Sequence, residues 1–270
     1  CRQARAVLQE IDWPCELATN FSETNLGCGI RMHTAITWAF SLFEEVIILE
    51  DDCIPNASFF RFCEELLEVY RHDERVMHIS GNNFVGVEAR TPYSYYFSKF
   101  THGSGWASWR RAWRHFDWSM SRWPELKLAG VLDAMCTDSY EVRYWSGIFD
   151  RLSTGAPDVW DYQWNLACWS QSGLAILPAV NLVLNDGWGP DATHTKSPMA
   201  WPGTTELGEI LHPPFVFRNV AADATQFNRY FGGDEMRKLD SPRARIRRRL
   251  GPVLAPLRLV KRVLKRTFAR

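Results

Sequence analysis

The sequence predicts an α/β fold in a single domain, residues 1–240, with a mostly parallel central sheet. Helical and extended patterns alternate through the first 80 residues, as in sheets whose strands are joined by helices. The run Val46-Ile47-Ile48-Leu49 is continuously apolar, which is typical of a strand buried on both faces. The 270 residues, 46% of them hydrophobic, are enough for one large core.

Each element of the first half is predicted from its local pattern. In chain order we expect a helix over residues 2–11, a strand over 15–19, a polar loop over 20–29, a helix over 30–43, a strand over 46–49, a helix from Asn56 to Tyr70 and a strand over 76–80. Pro55 stops the preceding segment and allows a helix to begin behind it.

The second half is less regular. In chain order we expect a strand over residues 93–97, a helix over 104–116, further helices within 126–150, a helix over 161–172, extended segments over 174–177 and 182–184, and a loop over 187–205. The helix over 104–116 is predicted because Trp106, Trp109 and Trp113 recur at i, i+3 and i+7.

Charge is distributed unevenly along the chain. All 31 acidic residues lie in residues 1–240, and 11 of the 31 Lys and Arg lie in residues 241–270. Apolar residues recur at 257, 260, 264 and 268 of this tail, with basic residues between them, which predicts an amphipathic helix on an anionic membrane surface. Nucleic acid is the alternative partner of a basic tail, but the acidic body and the lack of a nucleic-acid motif argue against it.

Localisation is predicted from the same features. No apolar run approaches the ~20 residues that span a bilayer, and no signal peptide is visible. The seven cysteines include no CxxC pair, which favours reduced thiols over a disulfide framework or a zinc site. We therefore expect a cytoplasmic protein, peripheral on the inner face of the cell membrane.

The triplet Glu50-Asp51-Asp52 follows the apolar run directly. Adjacent carboxylates at the end of a buried strand repel one another, and a cation removes that cost. Mg²⁺ and Mn²⁺ prefer carboxylate oxygen, with phosphate and water in their remaining positions. The segment therefore predicts a metal–diphosphate site. The alternative is a solvated acidic turn at a helix start.

Residues 46–60 resemble the metal-binding segment of the N-acetylglucosaminyltransferase I family of inverting, GT-A-fold enzymes. The shared pattern is an apolar strand, Glu50-Asp51-Asp52, Pro55 and Phe59-Phe60. The resemblance implies that Asp52 binds the divalent cation, Mn²⁺ or Mg²⁺, and that Glu50 and Asp51 contact the nucleotide-sugar donor. It also implies that the first strand of the fold is missing, because the chain begins at Cys1 in the helix that should follow it.

Two later segments carry the same resemblance. Gly103-Ser104-Gly105-Trp106, followed by Trp113, is similar to the family's Gly-x-Gly-Trp segment, and residues 159–164 are similar to its Trp-Asp-Asp-Trp segment. Asp161 then becomes the implied general base, whereas its residue type alone favours a helix cap. The chain departs from the family at Tyr162-Gln163, where a single Asp is expected, and in extra residues at about 125–158. It is expected to fall in a bacterial branch.

Further site residues are predicted on weaker signals. Arg31 and Asn25 flank Gly27-Cys28-Gly29, where a helix start favours a phosphate. His194, in a late Gly- and Pro-rich loop, is a candidate contact for the diphosphate or the metal. Gly105 and Trp106 are candidate donor contacts, and Trp160 and Trp164 are candidate stacking surfaces for the acceptor sugar.

The predicted function is transfer of a sugar, with inversion, from a nucleotide-diphosphate donor to a hydroxyl of a glycan or a lipid-linked acceptor. The family implies UDP, with N-acetylglucosamine as the default sugar. Two alternatives remain open from the sequence. One is a metal-dependent nucleotidyl- or phosphotransfer enzyme, and the other is a non-catalytic module that binds nucleotide-sugars or glycans.

Overall fold

The computed structural model describes residues 2–155, 158–187, 189 and 203–242. The helices are α1 Arg2–Ala6, α2 Cys28–Leu42, α3 Ala57–Val69, α4 Arg110–Trp113, α5 Trp123–Leu128, α6 Val131–Met135, α7 Ser139–Leu152, α8 Asp161–Ser170, α9 Val220–Arg229 and α10 Gly233–Asp240. The strands are β1 Glu45–Ile48, β2 Cys53–Pro55, β3 Val76–Ser80, β4 Tyr95–Ser98, β5 Trp106–Trp109, β6 Leu174–Pro178 and β7 Val183–Asn185. Two 3₁₀ turns cover Val7–Glu10 and Gly86–Ala89.

The fold is α/β, but its main sheet is mixed. Five strands lie in the order β1-β5-β3-β6-β4. Only β3 and β6 pair in parallel, whereas β1 with β5, β5 with β3 and β6 with β4 are antiparallel. The prediction of a mostly parallel sheet is therefore wrong, because β5 and β4 run antiparallel to the strands beside them.

The strand directions nevertheless place the segments that follow β1, β3 and β6 at one end of the sheet. Since β1 and β3 both run antiparallel to β5, and β3 is parallel to β6, the strands β1, β3 and β6 share one direction. Their carboxyl ends consequently lie at the same end of the sheet. The triplet Glu50-Asp51-Asp52 lies at this end, one residue after β1.

The helix predicted over residues 104–116 is instead a strand followed by one helical turn. Gly105 has φ = 76°, and Trp106 to Trp109 then run extended between β1 and β3. Trp106 packs on the side of α2 and α8, and Trp109 packs on the side of α3. The three-residue spacing of the tryptophans thus arises from a strand that buries both faces, which large aromatic residues also favour.

Two further strand predictions change. Residues 15–19 are exposed and have no regular structure, because they pair with no strand of the described chain. Strand β1 is an edge strand with three half-buried residues, not a strand covered on both faces. The predicted helices at α2, α3, α7 and α8, and the strands β3, β4, β6 and β7, form within a few residues of the expected positions.

Three aromatic-rich clusters build the core. One lies between α3 and the sheet, a second lies between the sheet and α2, α4 and α8, and a third joins α5 to α9 beside Phe100. Helices α6 and α7, which fall within the extra residues expected at about 125–158, contribute to this third cluster. None of the described helices has the length and apolar character that crossing a membrane requires.

Candidate functional site

The turn after β1 is held by a second, two-stranded sheet. The Cys53 N–H donates to the Glu50 carbonyl at 3.1 Å, and β2 then pairs antiparallel with β7. Beyond β7, the Asp186 N–H donates to the Asp52 carbonyl at 2.9 Å. A Cβ atom placed on Gly187 would lie 1.9 Å from Asp52 Oδ2. Any side chain at position 187 would therefore displace the Asp52 carboxylate, and glycine avoids this clash.

The segment Gly103-Ser104-Gly105-Trp106 passes beside the same turn. The Asn185 Nδ2 donates to Ser104 Oγ at 3.3 Å, which connects the segment to β7. A Cβ atom on Gly103 would lie 4.0 Å from Glu50 Oε1 and 3.1 Å from the Trp160 ring. The structure thus brings together the Gly-x-Gly-Trp segment, the acidic triplet and the start of α8.

Asp161 is the first residue of α8 and is exposed. Its charge reaches Glu50, whose pKa rises from 4.5 to about 7 because of burial first, then Asp52, Asp161 and Asp51. The Trp160 side chain opposes this rise through a hydrogen bond to Glu50. Carboxylates from two distant segments therefore share one acidic site, which disfavours the ionised form of Glu50.

Tyrosines border the site on the side of Asp161. Its charge contributes to raising the pKa values of Tyr144, Tyr162 and Tyr230, the last to about 12, although burial is the larger cause for each of them. These phenols stay protonated near neutral pH. They therefore add no negative charge near this carboxylate.

The start of α2 is already occupied by a carboxylate of the chain itself. Asp158 accepts hydrogen bonds of 2.7 Å from the backbone N–H groups of Cys28 and Gly29. A helix N-terminus that binds an internal carboxylate does not offer those donors to a phosphate. The expected phosphate contact at Gly27-Cys28-Gly29 is therefore not available in this arrangement.

Arg31 and Asn25 hold the loop before α2. The Arg31 guanidinium donates to Asn20 Oδ1 at 2.9 Å and also to the Asn20 carbonyl. Asn25 Oδ1 accepts from the Gly27 N–H at 2.9 Å. Both side chains are thus used in local hydrogen bonds, and their contact with a donor stays a prediction.

The tryptophans predicted to touch sugar are buried. Trp106 is fully buried and stacks on Trp160, with ring centroids 5.5 Å apart, and on His78 at 5.0 Å. Trp164 donates from Nε1 to His78 Nδ1 at 3.1 Å. This stack supports the floor of the site. Sugar contact by Trp106, Trp160 or Trp164 requires a ring to move, and stays a prediction.

The protein side chains alone do not form a complete cation site here, so a bound diphosphate and water would have to supply further oxygen ligands. No group of three or more His, Cys, Asp or Glu residues in the described part of the chain is arranged to hold a metal. One or two carboxylates, with phosphates and water completing the shell, are nevertheless the usual protein ligands of Mg²⁺. Asp52, half-buried and beside the repelled Glu50, suits such a shared site.

Sequence reasoning missed three residues of the site. Asp158 contacts α2 across 130 positions of sequence, Gly187 makes room for Asp52, and Cys28 lies near enough to the acids that burial, Glu50 and Asp158 raise its pKa to about 11. No motif marks them, because each acts through a long-range contact. His194 lies outside the described residues. No protein-family model and no curated protein matches the chain, so the interpretation of the site depends on its own geometry.

Proposed function

We propose that the chain is an inverting, metal-dependent glycosyltransferase with a GT-A-type domain, which uses a nucleotide-diphosphate sugar, UDP-linked by preference. The observation that carries this proposal is the convergence of two distant segments at one end of the sheet, where Glu50 Oε1 and the ring of Trp160, the residue before Asp161, both lie beside Gly103. The charges of Asp52 and Asp161 also contribute to the raised pKa of Glu50. Their separation in sequence argues against an accidental acidic turn, which was the competing interpretation of the triplet.

The site residues divide the reaction between them. Asp161 is exposed at a helix start, where an acceptor hydroxyl has access, and takes its proton as general base. Asp52 would hold the cation, with Glu50 and Asp51 towards the donor. When bound, the cation supplies positive charge to the departing diphosphate. Inversion needs no covalent nucleophile, and this arrangement uses none.

The test separates donor binding from transfer. Purified chain is screened with nucleotide-sugars for Mn²⁺-dependent release of the nucleotide, and the best donor is then used with Asp161→Asn and Asp52→Asn. We expect Asp161→Asn to bind donor within about twofold of the parent and to lose release by about 10²-fold or more. We expect Asp52→Asn to lose the Mn²⁺-dependent binding itself.

Asp12→Asn, an exposed acid outside the site, is the matched control and should change neither quantity. Activity retained in Asp161→Asn would refute its role as base. Cleavage between the two phosphates, with sugar phosphate as product, would indicate the nucleotidyl-transfer alternative. Tight donor binding without any turnover would indicate the binding-module alternative.

A further inference from the structure

Three aromatic side chains from separate segments form a cluster near the acidic site: Phe84, His102 and Tyr230. The ring centroids of Phe84 and His102 are 4.6 Å apart, and those of Phe84 and Tyr230 are 4.4 Å apart. The His102 and Tyr230 centroids are 5.9 Å apart. Residues that follow β3, precede β5 and follow α9 therefore meet at one place on the molecule.

Two connections place this cluster beside the acidic site. Phe84 belongs to the segment that follows β3, at the end of the sheet where the acidic triplet follows β1. His102 directly precedes Gly103, and a Cβ atom on Gly103 would lie 4.0 Å from Glu50 Oε1. The cluster thus adjoins the residues assigned to the donor.

The Tyr230 hydroxyl is close enough to Asp161 to respond to its charge. Burial first, and then Asp161 and the Tyr144 phenol, raise the pKa of Tyr230 to about 12. Tyr162, which follows Asp161 directly, hydrogen-bonds through its phenol to Tyr144. A carboxylate and hydroxyl groups therefore lie on one side of the aromatic cluster.

The ring of Tyr230 is held by its neighbours but not enclosed by them. Phe84 lies against it at an interplanar angle of 30°, whereas the rings of His102 and Phe231 stand at 87° and 90° to it. Tyr230 is nevertheless 38% exposed. Part of its aromatic surface is therefore open to solvent, on a support that fixes the orientation of the ring.

The tryptophans predicted to stack on the acceptor offer no such surface. Trp160 and Trp164 are 4% and 1% exposed, so a sugar reaches their rings only after a rearrangement. Tyr230 is accessible in the structure as it stands. Single exposed aromatic residues are ordinary on protein surfaces, but this one lies beside a group of carboxylates.

A pyranose sugar combines the two chemical characters of this surface. The C–H bonds on one side of its ring form an apolar face, and its hydroxyl groups project around the rim. The face of an aromatic ring is negative and attracts the weakly positive C–H hydrogens. The rim hydroxyls remain able to bind Asp161 and the phenols next to it. An alkyl alcohol has the hydroxyl but no such ring face.

We infer that Tyr230, supported by Phe84, is the stacking residue of an acceptor subsite, and that the acceptor is a pyranose glycan that presents a hydroxyl to Asp161. This inference rests on the proposed transferase activity, because it assigns the acceptor of that reaction. It places the stacking surface on Tyr230 instead of Trp160 and Trp164.

Saturation-transfer NMR on the full chain tests the inference, with and without UDP and Mn²⁺. The probes are the methyl pyranosides of glucose, galactose, mannose and N-acetylglucosamine, and sorbitol, an open-chain polyol with no ring face. At least one pyranoside is expected to bind, with a Kd at least about fivefold below that of sorbitol. No pyranoside binding in either condition, or equal binding of sorbitol, overturns the inference.

Variants of Tyr230 assign the contact. Tyr230→Ala removes the ring and is expected to weaken pyranoside binding about fivefold or more, whereas Tyr230→Phe keeps the ring and should bind within about twofold of the parent. Phe217→Ala is the matched control, because Phe217 is 69% exposed and the ten residues of α9, a length of about 15 Å, separate it from Tyr230. A melting curve checks that each variant is folded. Binding by Tyr230→Ala equal to that of the parent contradicts the assignment.

Transfer kinetics separate this inference from the proposed function. With the best donor and the bound pyranoside as acceptor, Tyr230→Ala should raise the acceptor KM about fivefold and change kcat less. Pyranoside binding that depends on Tyr230, without any transfer, would refute the transferase activity and leave the sugar subsite in place. Transfer with the same acceptor KM in Tyr230→Ala and the parent would leave the transferase activity in place and refute the subsite.

Discussion

Asp158 caps helix α2 through Gly29, which precedes it by 129 positions: its Oδ1 lies 2.7 Å from the Gly29 backbone nitrogen. The same carboxylate accepts from Cys28, so one side chain satisfies two of the free N–H groups at the start of the helix. Because Asp158 stands three residues before Asp161, this contact joins α2 to the loop that positions the proposed base.

Replacing Asp158 by Ala is expected to destabilise the chain by ~1–2 kcal/mol, the usual cost of losing a helix cap. The loop before α8 should loosen at the same time and lower turnover more than donor binding. Urea unfolding and kinetics with the best donor measure the two effects. Asp12→Ala is the control. Unchanged stability and turnover would show that the contact is dispensable.

Gly187→Ala is expected to displace the Asp52 carboxylate, because the added Cβ would lie 1.9 Å from Oδ2 and 2.9 Å from the Asp52 Cβ. Donor binding in Mn²⁺ should fall about tenfold or more, whereas binding without Mn²⁺ should change little. Gly208→Ala is a matched control, since nothing lies within 4 Å of its added Cβ. Equal effects of the two substitutions would contradict a role of Gly187 in placing Asp52.

Two buried histidines predict acid sensitivity. Burial lowers the pKa of His78 from 6.5 to about 3 and of His102 to about 4, so both are neutral in the native chain and take up protons on unfolding. Their contribution to stability is fully present above pH 6.5 and is lost as the pH falls towards 4. Each adds about 1.4 kcal/mol per pH unit to the slope over that interval.

Urea unfolding between pH 7.5 and 5 measures this slope. His102→Gln should reduce it by the contribution of one histidine, whatever its effect on stability at pH 7.5. His72→Gln, an exposed histidine, should leave the slope as it is. An unchanged slope in His102→Gln would mean that this ring is already solvated in the native chain.

Local patterns were enough to predict most helices. A continuous apolar run led correctly to a strand at β1, although not to its place at the edge of the sheet, and Asn56, whose side chain accepts from the Phe59 N–H, marked the start of α3. The convergence of the triplet with Asp161 was expected only through the family resemblance. No local pattern contains it, because β5 and α8 reach the site through sheet pairing and packing.

Strand direction was the property that the sequence concealed. The stripe Trp106, Trp109 and Trp113 satisfies helical spacing, yet its first two members lie on opposite faces of β5. Buried strands carry apolar residues on both faces, so their sequences lose the two-residue alternation that distinguishes them from helices. Nothing in the local sequence therefore indicates that β5 lies antiparallel between β1 and β3.

The basic tail, residues 241–270, is expected to bind anionic membranes. This expectation comes from the sequence alone, because residues 243–270 lie outside the described ranges. An amphipathic basic helix gains ~1 kcal/mol per Lys or Arg near an anionic surface, in addition to its apolar burial. Replacing Lys261, Arg262, Lys265 and Arg266 by Gln should therefore weaken sedimentation with phosphatidylserine-containing vesicles by about 10²-fold or more at low salt. Removing residues 241–270 should abolish it.

A tail of scrambled order, with equal charge and no apolar face, separates the two contributions and should retain only weak, salt-sensitive binding. Equal binding of the parent to neutral and anionic vesicles, or full binding by the shortened chain, would contradict a membrane role for the tail.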